Sequence, residues 1–275
     1  MFMEPEPPPE PPYELPSESP IKSPIDRYTR LKAITDFGYD ITWSDLAKRT
    51  ITIAGVGGLG MITADILARC GVGHLYLFDK DTVDTVNLNR IGFLESDIGQ
   101  DKVSIIARNI NQINPDVKTQ PIHGDIMNFG VEDLFDEAVA KSDAVLMGVD
   151  NYPARMFVNQ KCINHKKPLF NAGVSRSALS GFVQSIFPNK TACLQCVARV
   201  KGSNEDLERG ESCVASLPTT FAIIAGIQAQ ETLKYLLGLG TVVDYITYNA
   251  LTGDFHQFQT ARDPHCSACS CNDDF

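Results

Sequence analysis

The stretch Thr50-Ile51-Thr52-Ile53-Ala54-Gly55-Val56-Gly57-Gly58-Leu59-Gly60 decides the fold. Its first five residues are mostly β-branched and predict a strand, and a helix is predicted to follow from Met61 to Cys70. A second strand is predicted over His74-Leu75-Tyr76-Leu77-Phe78, which completes a βαβ unit of about thirty residues, the size of a parallel crossover. The glycines 55, 57 and 60 form G-x-G-x-x-G between strand and helix. In that place glycines let the backbone approach a phosphate, and the helix N-terminus offers free N–H groups.

The rest of the chain continues the alternation of helices and strands. Helices are predicted at Tyr28–Arg49, Lys102–Ile113, Ala154–His165 and Thr219–Leu237, and strands at Gln120–His123, Ala144–Gly148, Pro168–Asn171, Ser180–Ile186 and Val242–Tyr248. The strand at 144–148 is continuously apolar, as buried parallel strands are, whereas the residues from Ser180 onward alternate. We therefore expect an α/β fold, a Rossmann-like domain with a parallel half and a mixed, partly antiparallel half.

Composition separates a tail from one domain. Residues 1–23 are rich in Pro and Glu and have little to bury, so we expect a disordered tail followed by a single domain over 24–275. The net charge of −10 and pI near 4.9 argue against nucleic acid or an anionic membrane as partner. The start has no signal-peptide pattern, and no apolar run approaches the ~18 residues of a membrane span. Eight cysteines in such a chain indicate thiols and metal ligands, so we expect a cytoplasmic protein.

A series of polar residues after the glycines favours ATP over a dinucleotide. Asp79 ends the second strand, where a carboxylate can bind ribose hydroxyls. Asp79 also begins a D-x-D…N-x-x-R…K series, which continues with Asp81, Asn87, Arg90 and Lys102. Cations are needed where charge develops on a triphosphate attacked at its α-phosphate, and hydride transfer needs none there. The alternative is a solvated, charged helix face.

The cysteines fall into groups with different chemistry. Cys193-Leu194-Gln195-Cys196 and Cys266-Ser267-Ala268-Cys269 are two C-x-x-C pairs, which suit a structural, tetrahedral Zn²⁺ site. Redox chemistry is the alternative, although a redox C-x-x-C usually works singly and near a helix start. Cys213 precedes a helix predicted to begin near Pro218, where a lowered pKa can make the thiolate a nucleophile; it could also be an inert loop cysteine. The periodic positions of Cys70 and Cys162 indicate core residues.

Two segments resemble a known family. They are Gly55–Gly60 with its continuation to Asn87-Leu88-Asn89-Arg90, and Cys213-Val214-Ala215-Ser216-Leu217-Pro218-Thr219-Thr220 with its long helix. Together they resemble the ubiquitin-activating (ThiF/MoeB-like) superfamily, and are most similar to the activating enzymes of the ubiquitin-fold modifier (UFM) system. The similarity runs from Tyr28 to Cys269. It implies ATP-dependent adenylation of a modifier's C-terminal glycine, a thioester on Cys213, transfer to a conjugating enzyme, and a homodimer.

The resemblance also implies roles for single residues in nucleotide binding. Asp79 would hold the ribose, Arg90 and Lys102 would contact the phosphates, Asp150 would help to bind Mg²⁺, and Asn151 would line the site. Including the residues predicted from the motifs, the expected nucleotide-binding set is Gly55, Gly57, Gly58, Gly60, Asp79, Asp81, Asn87, Arg90, Lys102, Asp125 and Asn151.

Three further assignments depend on the resemblance. Arg30 matches an arginine that completes the neighbouring subunit's ATP site in the family's homodimers; it could also be a surface arginine. Asp125 stands where the family has Asn. The UFM-type spacing would pair Cys266 with Cys271 as the last zinc ligands, but the run 264–269 is more similar to the bacterial knuckle, so we expect Cys269.

Three other functions are consistent with parts of the pattern. Adenylation of a sulfur-carrier protein uses the same first step, and the segment from Cys213 to Thr220 favours modifier activation over it. A non-catalytic partner subunit would be expected to lose the phosphate-binding residues, yet Arg90, Lys102 and Asp150 are present. An NAD-dependent oxidoreductase would need a hydride-transfer acid or base near the nucleotide, and none is obvious.

Overall fold

The computed structural model describes residues 25–201 and 215–270. The predicted tail at 1–23, Cys213 and Cys271 lie outside these ranges. Within them the strands form one mixed sheet in the order β3-β2-β1-β4-β5-β6-β7-β8. The strands are β1 (Thr50–Ala54), β2 (His74–Asp79), β3 (Lys118–His123), β4 (Ala144–Met147), β5 (Leu169–Val174), β6 (Ser180–Ile186), β7 (Tyr245–Asn249) and β8 (Phe255–Phe258).

The sheet has a parallel and an antiparallel half, as the sequence predicts. The first five strands in the sheet order, β3, β2, β1, β4 and β5, are all parallel to one another. From β5 onward each neighbour is antiparallel, through β6 and β7 to β8 at the edge. The order of strands reverses between β1 and β4, and ligands of open α/β sheets bind outside the carboxyl ends of the strands at such a reversal.

Helices cover both faces of the sheet. They are α1 (Thr29–Lys32), α2 (Gly60–Cys70), α3 (Lys102–Ile113), α4 (Val131–Lys141), α5 (Tyr152–Asn164), α6 (Leu194–Lys201) and α7 (Pro218–Leu237). One core cluster joins the sheet to α2, α3 and α7, and another joins it to α4 and α5. Alternate residues of β1 serve the two faces, since Ile53 packs in the first cluster and Ala54 in the second. Because the central parallel strands are buried on both faces of the sheet, their sequences are nearly continuous runs of apolar residues.

The segment before β1 differs from the expected helix over 28–49. The four-residue helix α1 is followed by 3₁₀ turns at Ala33–Phe37 and Trp43–Lys48. Gly38 separates these turns with a left-handed φ of +87°, which ends regular helix. The strand expected from Val242 begins at Tyr245.

Three elements were not predicted. Helix α4 has apolar residues at helical spacing, at positions 131, 134, 135, 138 and 139, and this pattern was overlooked. Helix α6 begins inside a C-x-x-C pair, whose spacing indicates a metal knuckle. Strand β8 is exposed along its whole length and shows no alternation of apolar and polar residues. In the described ranges, every helix is too short or too polar to traverse a bilayer.

Candidate functional site

A cavity of about 770 Å³ lies at the carboxyl ends of the parallel strands. Its wall includes residues that follow β1, β2, β4 and β5, which lie side by side in the sheet. Parallel strands bring their carboxyl ends to one edge, so residues distant in sequence meet there. From the predicted set the wall contains Gly55, Gly57, Gly58, Asp79, Asp81, Arg90, Lys102, Asp125, Asp150 and Asn151.

The glycine turn, residues 55–60, connects β1 to α2. Gly55 has φ +85°, and a Cβ there would lie 3.0 Å from the backbone of Gly148. A Cβ on Gly60 would overlap the carbonyl oxygen of Gly55, so Gly60 packs the helix against the turn and does not line the cavity. In the described part of the chain the N–H groups of Gly57 and Gly58 have no acceptor. Two free donors beside a helix N-terminus form a site for an anion such as a phosphate.

Asp79 lies beside this turn at the end of β2. One carboxylate oxygen accepts a hydrogen bond from the N–H of Val56 at 2.8 Å, and the other accepts one from the N–H of Asp81 at 3.0 Å. Burial raises the pKa of Asp79, against the opposing effects of Lys102 and of these two N–H groups. The carboxylate is thus held in place at the cavity wall, where it can accept hydrogen bonds from hydroxyl groups of a sugar.

Two cationic side chains line the same cavity. The side chain of Lys102 is only 6% exposed, and its Nζ lies 2.8 Å from a carboxylate oxygen of Asp81. Arg90 lies across from the turn, because a Cβ on Gly57 would come within 3.2 Å of its Nη1. Its Nε is buried without a partner among the described residues. Polar atoms left without a partner in a cavity wall are expected to bind a ligand, and these two cations fit a phosphate.

Asp150 and Asn151 lie between β4 and α5. Asn151 caps α5, since its side-chain oxygen accepts a hydrogen bond from the N–H of Ala154 at 2.9 Å. Asp150 is exposed to the cavity, so its carboxylate is available to a metal ion accompanying a nucleotide.

Asp125 forms an ion pair with Lys80, a cavity residue that sequence reasoning missed. The Nζ of Lys80 lies 3.2 Å from the carboxylate of Asp125. A hydrogen bond from the N–H of Met127, together with Lys80, holds the pKa of Asp125 below its usual range. Lys80 directly follows Asp79 at the end of β2, and that position was its only sequence signal.

Besides Gly60, two other predicted residues lie away from the cavity wall. Asn87 is buried, and its side-chain oxygen accepts a hydrogen bond from the N–H of Asp84 at 3.1 Å, which closes a turn. Arg30 is exposed on α1 and does not line this chain's cavity. A position on the surface is what a contribution to a neighbouring subunit would require.

The antiparallel half adds a second end to the cavity. Here the wall contains Gly173, Phe182, Gln184 and Tyr245, along with Arg155 from the first turn of α5. The sequence did not predict these residues as site residues, because most of them belong to strands whose pattern of apolar residues indicates only that they pack in the sheet. Arg155 alone had a signal, its position four residues after Asn151.

The four predicted zinc ligands form a buried cluster. The sulfur atoms of Cys193, Cys196, Cys266 and Cys269 all lie within 4.8 Å of one another. Neighbouring Sγ atoms are 3.6 Å apart in the pairs 193–196 and 196–269, and 3.7 Å apart in the pair 193–266. Four sulfurs about 2.3 Å from a tetrahedral Zn²⁺ would be separated by about 3.8 Å. The cluster therefore fits a metal with four thiolate ligands and no open position.

The fold and this edge of the sheet define the class of the protein. A strand, a glycine turn and a helix, followed by a strand that ends in a carboxylate, form a Rossmann-like α/β domain. The chain belongs to the ThiF family, whose sequence pattern matches residues 28–269.

Two relatives and two solved structures illustrate the similarity. Ubiquitin-like modifier-activating enzyme 5 of Aedes aegypti is 40% identical over 258 residues, covering 90% of this chain and 65% of that protein. The protein of the same name from Caenorhabditis elegans is 38% identical over 258 residues, covering 89% and 61%. The chain thus spans less than two thirds of the length of these relatives.

The structural matches support the fold. Escherichia coli MccB crystallised with ATP has a TM-score of 0.75 at 24% identity, covering 89% of this chain and 74% of MccB. MccB with succinimide also has a TM-score of 0.75, at 23% identity, covering 90% and 75%. At this level of identity the match concerns the mixed α/β fold alone.

Proposed function

We propose that this chain is an ATP-dependent activating enzyme for a ubiquitin-like modifier. In the first reaction a carboxylate oxygen of the modifier's C-terminal glycine forms a bond to the α-phosphorus of ATP, the bond to the β-phosphate breaks, and pyrophosphate leaves. In the second the thiolate of Cys213 attacks the acyl carbon and AMP leaves. A cysteine of a conjugating enzyme then accepts the modifier from this thioester.

The single observation that carries the proposal is the composition of the cavity wall. One cavity collects two free backbone N–H groups, the carboxylate of Asp79 and the cations Arg90 and Lys102. The names of the relatives, ubiquitin-like modifier-activating enzymes, support the modifier as substrate. The crystallisation of MccB with ATP supports the nucleotide.

The side chains of the cavity suit the first reaction. The N–H groups of Gly57 and Gly58 and the cations would hold the phosphates in one orientation, while Asp79 would fix the ribose. Negative charge develops on the leaving pyrophosphate, and preoriented cations stabilise it in the transition state. Mg²⁺, which Asp150 would help to bind, supplies further charge neutralisation at the phosphates.

The cysteine cluster has a separate, structural role in the proposal. We propose Zn²⁺ at Cys193, Cys196, Cys266 and Cys269, because thiolates in tetrahedral arrangement favour this metal. It would fasten the segment after β8 to the start of α6.

We also propose a homodimer in which Arg30 of each subunit completes the partner's ATP site, and a cytoplasmic location. The location is proposed because four of the eight cysteines would bind Zn²⁺ as thiolates, the state that a reducing compartment maintains. Arg30→Ala should bind ATP and dimerise but adenylate slowly. Mixing it with Asp150→Ala should restore part of the activity, because one hybrid site is intact. Full activity of Arg30→Ala would remove this role.

The proposed function is tested by two assays on the same protein. Wild type should catalyse ATP–pyrophosphate exchange in the presence of the processed ubiquitin-fold modifier of Aedes aegypti, and should form a thiol-sensitive adduct on a non-reducing gel. Cys213→Ala should retain exchange and lose the adduct, whereas Cys70→Ala and Cys162→Ala should keep both. Absence of exchange for wild type would contradict the proposal, and an adduct on Cys213→Ala would assign the nucleophile elsewhere.

A further inference from the structure

Arg155 is a half-buried cation at the second end of the cavity. It lies in the first turn of α5, and its guanidinium binds β5: Nη1 donates to the side-chain oxygen of Asn171, and both Nη atoms donate to the carbonyl oxygen of Ala172 at 3.1 Å. Burial lowers the pKa of Arg155 to about 10, so the group remains charged at neutral pH. A positive charge is thus kept in the cavity wall, where the two neighbouring acceptors are neutral.

No carboxylate neutralises this charge within residues 25–201 and 215–270. The carboxylate whose field reaches Arg155 is that of Asp150, and it forms no ion pair with the guanidinium; the phenol of Tyr245 acts in the same direction. Three of the five N–H groups of Arg155 have acceptors in these ranges, which leaves two without a partner. A charge that is partly removed from water is ordinarily paired, because its desolvation is unfavourable. The arrangement indicates an anionic ligand.

The surroundings of Arg155 leave space for such a ligand. Gly173 forms the wall next to the guanidinium, and a Cβ there would lie 3.4 Å from Nη2 of Arg155 and 2.7 Å from the ring of Phe182. Without that side chain, the guanidinium stays open toward the cavity. The ring of Phe182 stacks on Tyr245, with centroids 5.6 Å apart, and both rings line this end. A space walled by two stacked rings and a glycine suits an extended peptide with small residues.

The order of the strands places Arg155 beyond the proposed phosphate site. The glycine turn follows β1, Asp150 follows β4, and Arg155 is attached to β5, one strand further on. A group that approaches the α-phosphate from the antiparallel half would therefore pass Arg155. Arg90 and Lys102 lie on the opposite side, after β2.

We propose that Arg155 binds the C-terminal carboxylate of the peptide that is adenylated. This inference rests on the proposed function and assigns a substrate-binding residue to it. One carboxylate oxygen accepts hydrogen bonds from the free N–H groups of the guanidinium, and the other is left to attack the α-phosphorus. Once the acyl-phosphate bond forms, the group loses its negative charge, so the contact weakens as the adenylate leaves for the thiol.

The test compares two forms of one probe by isothermal titration calorimetry. The processed ubiquitin-fold modifier of Aedes aegypti is used with its free C-terminal carboxylate and as the C-terminal carboxamide, each with wild type and with Arg155→Gln. We expect the carboxylate form to bind wild type about 10- to 100-fold more tightly than the carboxamide, as for a charge-assisted hydrogen bond. In Arg155→Gln this ratio should fall below about 3-fold, which isolates the pairwise contact from any general loss of structure.

A second variant keeps the arginine and its packing. Asn171→Asp would place a carboxylate on Nη1 of Arg155 and neutralise it internally, so the ratio should fall here as well even if Arg155→Gln does not fold. Arg69→Gln, which removes one positive charge from the exposed face of α2, should leave the ratio unchanged.

The outcomes separate the inference from the proposed function. A wild-type ratio that persists in both variants would overturn the role of Arg155 alone. Reduced ATP affinity in Arg155→Gln with an unchanged ratio would assign the arginine to a phosphate and overturn it too. Failure of wild type to bind either form of the modifier would overturn the inference together with the proposed modifier.

Discussion

The glycine turn and the cysteine cluster both fit a ligand, but the atoms that would hold it come from different parts of the chain. In the turn the donors are backbone N–H groups of adjacent residues, exposed because side chains are missing. In the cluster the donors are four side chains, and the two C-x-x-C pairs lie 73 residues apart. One site is formed by local backbone conformation and the other by the completed fold. Substitutions that add side-chain atoms should therefore disrupt the turn, whereas substitutions that remove a ligand should disrupt the cluster.

The largest effect is expected where a cluster ligand is removed. Cys266→Ser should lose stoichiometric zinc and on the order of 5 kcal/mol of unfolding free energy, because metal that binds only the folded form adds to its stability. Metal analysis and urea denaturation measure the two quantities. Comparing Cys269→Ser with Cys271→Ser identifies the fourth ligand. Wild type purified without chelator and lacking zinc would contradict the metal assignment.

The second largest effect is expected where one atom is added to the turn. Gly60→Ala should destabilise the fold by about 3 kcal/mol, since its Cβ overlaps the carbonyl oxygen of Gly55 and the backbone must move. Gly226→Ala is the control: it lies inside α7 with nothing within 4 Å of an added Cβ, and should stabilise by about 0.5–1 kcal/mol. Equal denaturation midpoints for the two variants would contradict this account of the turn.

A smaller effect is expected at the cation beside the turn. Lys102→Ala should weaken ATP binding by about 1.5–3 kcal/mol, the range for hydrogen bonds to charged groups. Lys48→Ala removes an exposed lysine outside the cavity and should bind ATP as wild type does. Calorimetry with MgATP distinguishes them, and equal affinities would remove Lys102 from the phosphate site.

The smallest effect concerns an ion-pair network between α4 and α5, on the face of the sheet that carries the cluster. Burial opposes ionisation of Asp136, but hydrogen bonds from Lys161 and His165 outweigh it and hold its pKa below the usual range. A lowered pKa stabilises the fold above the unfolded value near 4, and this contribution is lost as the pH falls through the folded pKa.

Because the network is partly exposed, Asp136→Asn should lose less than about 1 kcal/mol at pH 7. The difference from wild type should shrink as the pH falls below about 4, as measured by urea denaturation across pH. Asp133→Asn, on the same helix, serves as the control. A difference that stays constant with pH would contradict the ionic origin of the effect.

The two sites also differ in how far the sequence predicts them. At the turn, G-x-G-x-x-G specifies both the conformation and the donors, and the boundaries of β1 and α3 follow from periodicity alone. At the cluster, the C-x-x-C spacing predicts the four ligands. Whether the two pairs come close enough to share one metal depends on where the chain runs after β6 and after β8. Arg155 and Lys80 were missed because their roles arise from strands that become neighbours only in the folded sheet. The segment 28–49 predicts one helix because its apolar contacts recur at helical spacing, yet Gly38 interrupts it.

The spacing of the cysteine cluster has a consequence for the continuity of the chain. The range 202–214, with the proposed nucleophile Cys213, lies between the two C-x-x-C pairs. A metal bound by both pairs closes a loop of about 73 residues. A cross-link that closes a loop of this length lowers the conformational entropy of the unfolded chain, which stabilises the fold by about 4 kcal/mol. If a protease cut the backbone within that range, the two fragments would each keep two ligands of the same ion. A protein severed beside its proposed nucleophile would therefore still migrate as one particle, held by the metal as well as by the pairing of β6 with β7 across the cut.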